Sequence, residues 1–140
     1  MIKDTKNLQD VLMTSESLSN FLEENQDKFI SESVTDILNR VFSDQKISKA
    51  ALAKRSGMSE IYLHQIFAGR RTPSRNRLIC LCYGLDMSLE ETQDLLKECG
   101  LAQLYPKIRR DAIIAYGLLH KIDLFEINDQ LFSENEETLC

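Results

Sequence analysis

Glycine and proline are scarce in this sequence, which has five of the former and two of the latter among its 140 residues. Regular alternation of apolar and polar residues, the pattern of a β-strand, is also missing. Instead Leu, Glu, Lys, Gln and Ala recur at helical spacing. A chain of this length can bury about two thirds of its surface as one domain, with a flexible end. We therefore predict an all-α protein.

The sequence has no Cys-x-x-Cys motif, and its two histidines lie far from any pair of cysteines. This spacing argues against a structural zinc site. Cys80 and Cys82 lie in the apolar stretch RLICLCYGL, where we interpret them as small apolar residues of a buried helix. No carboxylate pair, no nucleophile beside a base and no Gly-rich phosphate loop is recognisable. We expect no metal, no cofactor and no enzymatic activity.

Long apolar runs are missing as well. No segment approaches the ~18 consecutive apolar residues that a membrane-spanning helix needs, and the first residues include no apolar run of signal-peptide length. These absences predict a cytoplasmic protein with reduced thiols and no membrane partner.

Positive charge is concentrated in one part of an otherwise acidic chain. The formal net charge is -5, yet residues 46–77 contain eight basic residues and a single acidic one, Glu60. The basic residues are Lys46, Lys49, Lys54, Arg55, Arg70, Arg71, Arg75 and Arg77. Such a patch can bind a polyanion if the acidic parts face away from it. The alternative is a charged face that only contacts solvent.

The spacing of apolar residues divides the chain into three parts. Residues 1–32 form an N-terminal arm, in which the first 14 residues carry no clear period and Ser17 starts a short helix. Residues 33–100 contain five predicted helices, each preceded by a serine that can cap it: Ser33, Ser48, Ser59, Ser74 and Ser88. Glycine is predicted to end four of them, at Gly57, Gly69, Gly84 and Gly100.

Residues 101–140 are predicted to form a C-terminal helical hairpin and tail. Pro106 fits the first turn of a helix through KIRRDAIIAYGLLHK, and Asp123 can cap the second helix. We expect the last residues, SENEETLC, to be frayed.

Two short helices meet across the turn at Gly57. Ala53 is small where the helices would cross closely, and Gly57 permits a sharp turn. The stretch KAALAKRSGMSEIYLHQIFAGRRTPS resembles the helix-turn-helix of the lambda-repressor and Cro-like family, also called the xenobiotic-response-element family. The resemblance covers residues 33–100 and implies a five-helix DNA-binding domain.

The same resemblance implies that Glu60, Ile61 and Gln65 face the bases of the DNA, with His64 beside them. Gln65 could pair with adenine through its side-chain amide. Glu60 could accept a hydrogen bond from cytosine or only supply negative charge at a helix start. Ile61 could contact a thymine methyl group or a partner protein, and His64 also fits an ordinary exposed polar residue.

Contacts with phosphates are expected from helix N-termini and from the cations near them. The candidates are Ser48, Lys49, Ser59, Arg70, Arg71 and Arg75.

Together these patterns predict a sequence-specific DNA-binding transcriptional regulator that binds double-stranded DNA as a homodimer. The alternative is a protein-interaction adaptor, antitoxin-like or kinase-associated, that keeps the fold but binds DNA weakly or not at all. The start of the recognition helix supplies one acid and two apolar side chains, SEIY, which suits this alternative.

Overall fold

All regular structure in the described part of the chain is α-helical. The computed structural model describes residues 2–14, 17–24 and 33–140, and within these ranges it contains nine helices and no strand. The prediction of an all-α protein is confirmed. The helices are α1 (Ile2–Thr14), α2 (Leu18–Glu24), α3 (Val34–Ser43), α4 (Lys49–Arg55), α5 (Glu60–Phe67), α6 (Arg75–Gly84), α7 (Leu89–Glu98), α8 (Arg109–Leu119) and α9 (Leu124–Ser133).

The chain divides into two compact units, Met1–Glu32 and Ser33–Cys140, and the first contains α1 and α2. Residues 2–14, for which the sequence predicted no helix, form one. This segment has no glycine or proline and is rich in good helix formers, so propensity favours a helix without a regular apolar stripe. Helix α2 begins after Ser17, as predicted, and the Ser17 hydroxyl accepts a hydrogen bond from the Asn20 amide.

Serine side chains start all five helices from α3 to α7. Each hydroxyl accepts a hydrogen bond from the backbone amide three residues later, which satisfies one of the amides left free in a first helical turn. At α7 the contact is reciprocal, since the Glu91 side chain also accepts a hydrogen bond from the Ser88 amide. The predicted N-caps are confirmed at Ser33, Ser48, Ser59, Ser74 and Ser88.

Helix α6 is the centre of the core of the second unit. Its last seven residues, 78–84, are all buried, and the helix packs against α4, α7 and α9. Helix α6 ends at Gly84, as predicted, and the positive φ after it belongs to Asp86. Gly84 serves the packing of α4, because a Cβ there would lie 2.0 Å from Ser56 Oγ and 2.9 Å from Leu52 Cδ1.

The hairpin of α8 and α9 differs in detail from its prediction. Helix α8 begins at Arg109, so Pro106 lies in the preceding turn and not in the first helical turn. Helix α9 begins after Asp123, as predicted, and Asp123 accepts a hydrogen bond from the Glu126 amide.

The last residues pack against helices of their own unit, so the expected fraying was wrong. Leu139 is buried, and its amide donates a hydrogen bond to Asn128 Oδ1 at 2.8 Å. The Arg110 guanidinium donates to the carbonyl of Glu137, also at 2.8 Å. These partners come from α8 and α9 and are not visible in the local sequence of the tail.

Candidate nucleic-acid interface

The turn between α4 and α5 has a well-defined geometry. The Met58 amide donates to the Ala53 carbonyl, and the Gly57 amide donates to the Lys54 carbonyl, a pattern that ends α4 in a Schellman motif. Gly57 has a φ of 64°, which a residue with a side chain rarely adopts. Ala53 is buried beside the turn. The roles predicted for these positions, a small residue at a close crossing and glycine in the turn, agree with this geometry.

Helix α5 presents one face to the core and another to solvent. Leu63, Ile66 and Phe67 are buried. Glu60, Ile61 and His64 are exposed, and Ile61 keeps 74% of its surface accessible. Three of the four candidate base-contacting residues therefore lie on the solvent side, and the fourth, Gln65, is half-buried.

Two side-chain pairs organise the exposed face of α5. His64 Nε2 lies 3.8 Å from Glu60 Oε1, one helical turn away, and this pair becomes an ion pair only when the imidazole is protonated. The Arg71 Nε donates to Gln65 Oε1 at 2.5 Å. This contact uses one of the two lone pairs of the Gln65 amide oxygen and none of the hydrogens of its amide nitrogen.

Three cations lie beside α5. Lys49 Nζ lies 5.6 Å from the centre of the Phe67 ring, although Lys49 belongs to the first turn of α4. Arg71 lies 5.4 Å from the centre of the Tyr62 ring, and Arg70 is exposed in the loop that follows α5. Among the described residues Arg70 makes no ion pair. Lys49, Arg70 and Arg71 thus supply three positive charges beside one helix.

The hydroxyls of Ser48 and Ser59 are already used as N-caps, by the amides of Ala51 and Tyr62. Both serines remain exposed, but their oxygens act first as acceptors within the protein. Anion binding at these helix starts would therefore depend on the remaining backbone amides of the first turns.

Arg75 must be removed from the set of phosphate-binding candidates. Its guanidinium donates to both carboxylate oxygens of Asp111, at 3.3 and 3.0 Å, and to the carbonyls of Ala102 and Gln103. The Asp111 side chain is only 5% exposed, so the pair is largely withdrawn from solvent. Arg75 joins α6 to α8 and is not available to a ligand.

Sequence reasoning missed Tyr62, whose ring lies among the cations beside α5. Tyr62 contacts two guanidinium groups, since Arg77 lies 5.3 Å from its ring centre in addition to Arg71. These cation–π contacts fix both arginines near α5. The three residues belong to three different segments, so no local spacing could have revealed them.

Two further cations of the basic stretch lie elsewhere. Lys54 and Arg55 line a groove of about 650 Å³, which is also lined by Lys121 and by Asp86 and Asp123 of the α6–α7 and α8–α9 connections. Since both signs of charge are present, this groove is not a clear anion site.

Within the described ranges, no cluster of three or more His, Cys, Asp or Glu side chains could hold a metal ion. None of the described helices has the length and apolar character to cross a membrane. No protein-family model, curated protein or solved structure matches this chain.

Proposed function

We propose that the protein is a sequence-specific DNA-binding regulator that inserts α5 into the major groove. The observation that carries this proposal is the exposed face of α5 with Lys49, Arg70 and Arg71 beside the helix. In this proposal α3 to α7 correspond to the five helices implied by the lambda-repressor and Cro-like resemblance, and α4 and α5 are the helix-turn-helix.

The dimensions of α5 suit this role. Its eight residues span about 12 Å, close to the ~12 Å width of the major groove. Glu60, Ile61 and His64 are the first, second and fifth residues of α5, and Gln65 is the sixth. Arg71 lies against Tyr62 and Gln65, Lys49 lies near Phe67, and Arg70 follows the helix, so these cations could bind phosphates that flank the groove.

The side chains of α5 suggest what it could read. Gln65, held by Arg71, could donate from its amide nitrogen to N7 of adenine, while its oxygen could accept a second hydrogen bond from the adenine amino group. Ile61 could contact a thymine methyl group. Each good base contact would contribute about 1–3 kcal/mol of discrimination, in addition to a salt-dependent phosphate contribution.

A single recognition helix reads only a few base pairs, so we propose that a homodimer binds the DNA. The outer face of the α8–α9 hairpin is the surface that we assign to the second copy. Tyr116, Leu119, Phe125 and Phe132 are each at least half exposed there. Sedimentation of a Phe132→Asp variant should then show a monomer.

The DNA-binding proposal is tested by fluorescence anisotropy with duplex DNA over a range of salt concentrations. The Arg70→Ala/Arg71→Ala variant should bind more weakly, and the slope of log affinity against log salt should fall by about 2 per protomer. The control is Lys97→Ala/Lys107→Ala, which removes two exposed cations from outside the interface. Equal effects of the two double variants would contradict the assigned interface.

The adaptor remains a second candidate, and the exposed apolar side chains of the hairpin favour it. An adaptor would bind a partner protein through Tyr116, Leu119, Phe125 and Phe132 and would retain no more DNA than the Arg70→Ala/Arg71→Ala variant. Absence of DNA binding by the wild-type protein at low salt would select this function.

A further inference from the structure

The last four residues of the chain are held close to the helix-turn-helix. The Asn128 side chain of α9 makes two hydrogen bonds to the last two residues: its Oδ1 accepts from the Leu139 amide, and its Nδ2 lies 3.0 Å from Cys140 Sγ. Cys140 Sγ also lies against the turn between α4 and α5, where a Cβ on Gly57 would approach it to 2.8 Å. The Cys140 thiol is thus positioned by α9 and by the turn.

A second thiol lies directly beneath this segment. Cys80 is fully buried in α6, and its Sγ donates to the carbonyl of Leu139 at 3.7 Å. Cys80 Sγ thus contacts the residue that precedes Cys140, and the two thiols are neighbours. Both thiols are reduced in this structure. The two cysteines therefore meet across the boundary between the core and the tail, although 59 residues separate them in the sequence.

We propose that Cys80 and Cys140 are a reversible modification site, which forms an intramolecular disulfide in the presence of a low-molecular-weight disulfide such as glutathione disulfide. Cys140 is the entry point because it is exposed. Its thiolate attacks the small disulfide, forms a mixed disulfide and releases one small thiolate. The Cys80 thiolate then attacks Cys140 Sγ and releases the second one. The two protein thiols lose two electrons and two protons, and one small disulfide becomes two small thiols.

The second step is predicted to be slow and strongly pH-dependent. Burial, together with the neighbouring Cys140, raises the pKa of Cys80 to about 12. Because the thiolate is the nucleophile, the reactive fraction of Cys80 rises about tenfold per pH unit at neutral and mildly alkaline pH. The mixed disulfide on Cys140 should therefore accumulate at neutral pH and be converted to the internal disulfide more rapidly at pH 9.

The remaining cysteines provide matched controls. Cys82 is buried in α6, two residues after Cys80, and Cys99 is half-buried at the end of α7. No side-chain hydrogen bond connects either of them to Cys140. Cys99→Ser leaves the proposed pair intact, whereas Cys140→Ser removes its exposed member.

The experiment oxidises the full chain with glutathione disulfide and follows the intact mass and the disulfide-linked peptides. The proposal predicts a Cys80–Cys140 peptide, a mass loss of two hydrogens, and a rise in melting temperature of roughly 5–10 °C, because the bond closes a loop of 61 residues. Cys99→Ser should behave like the wild type, and Cys140→Ser should form no internal disulfide. A stable glutathione adduct on Cys140 that never resolves, or pairing of Cys140 with Cys82 or Cys99, would overturn the proposal. These outcomes do not depend on whether the protein binds DNA.

Discussion

Arg75 of α6 and Asp111 of α8 form a bidentate ion pair in which the carboxylate is nearly inaccessible to solvent. Asp111 also accepts a hydrogen bond from the Tyr105 amide at 2.9 Å. One carboxylate therefore ties α6 to α8 and to the loop before α8. This relationship explains why an arginine within the basic stretch does not belong to its exposed surface.

Replacement of Asp111 by alanine is predicted to destabilise the protein. The change leaves the partly buried Arg75 guanidinium without its counterion and removes the acceptor of the Tyr105 amide. We expect a loss of about 2–4 kcal/mol in the free energy of unfolding, measured by urea denaturation. The control is Glu98→Ala, which removes the exposed partner of Arg40 and should cost less than about 1 kcal/mol. Equal costs for the two variants would contradict a structural role for the Arg75–Asp111 pair.

Gly84→Ala tests the close packing of α4 on α6. Alanine has the higher helix propensity, which alone would stabilise α6 by roughly 0.5–1 kcal/mol. The new methyl group would, however, overlap Ser56 Oγ, and we expect a net loss of about 2–3 kcal/mol.

The steric origin of this loss can be checked with a second substitution. Ser56 Oγ is buried and has no hydrogen-bond partner among the described residues, so Ser56→Ala alone should cost little. In the Gly84→Ala background it should restore about 1 kcal/mol, measured as a coupling energy in a double-mutant cycle. Additive effects would exclude the predicted overlap.

The capping box of α7 predicts a pH dependence of stability. Hydrogen bonds from the Ser88 amide and hydroxyl lower the pKa of Glu91 below its ordinary value of 4.5. The Glu91 carboxylate binds a proton less readily in the folded protein than in the unfolded chain. Its contribution to the free energy of unfolding is therefore fully present above pH 4.5 and is lost as the pH falls through the lowered pKa. Unfolding of wild type and Glu91→Gln between pH 3 and 7 should show a difference in stability at neutral pH that becomes smaller as the pH falls below 4.5. A difference that grows on acidification would have the wrong sign for this account.

The features that sequence reasoning predicted correctly depend on neighbouring residues. Serine caps such as Ser59 bond to an amide three residues away, and the left-handed Gly57 ends a helix that immediately precedes it. Local chemistry therefore defines most helix boundaries in the second unit.

The features that it missed depend on distant partners. Arg75 donates hydrogen bonds to Asp111, 36 residues later in the chain. Leu139 is buried in the core, and its amide donates to Asn128 of α9. Gly84 ends α6 as predicted, but its close contacts with Leu52 of α4 and with the C-cap residue Ser56 were not predicted. Such requirements arise only when the helices pack, so local patterns assign these residues to the surface, to a frayed end or only to a helix end.

Selection of bound sequences from a random pool of duplex DNA tests the central claim most directly. The wild-type protein should enrich a motif with two symmetric halves. Gln65→Ala should lose the preference at one position in each half and bind its best sequence about 5- to 150-fold more weakly, with little change in binding to unrelated DNA. Gln130→Ala, an exposed glutamine of α9, should select the wild-type motif. Enrichment of no sequence by the wild type, or an unchanged motif with Gln65→Ala, would contradict the assignment of α5 as the helix that reads DNA.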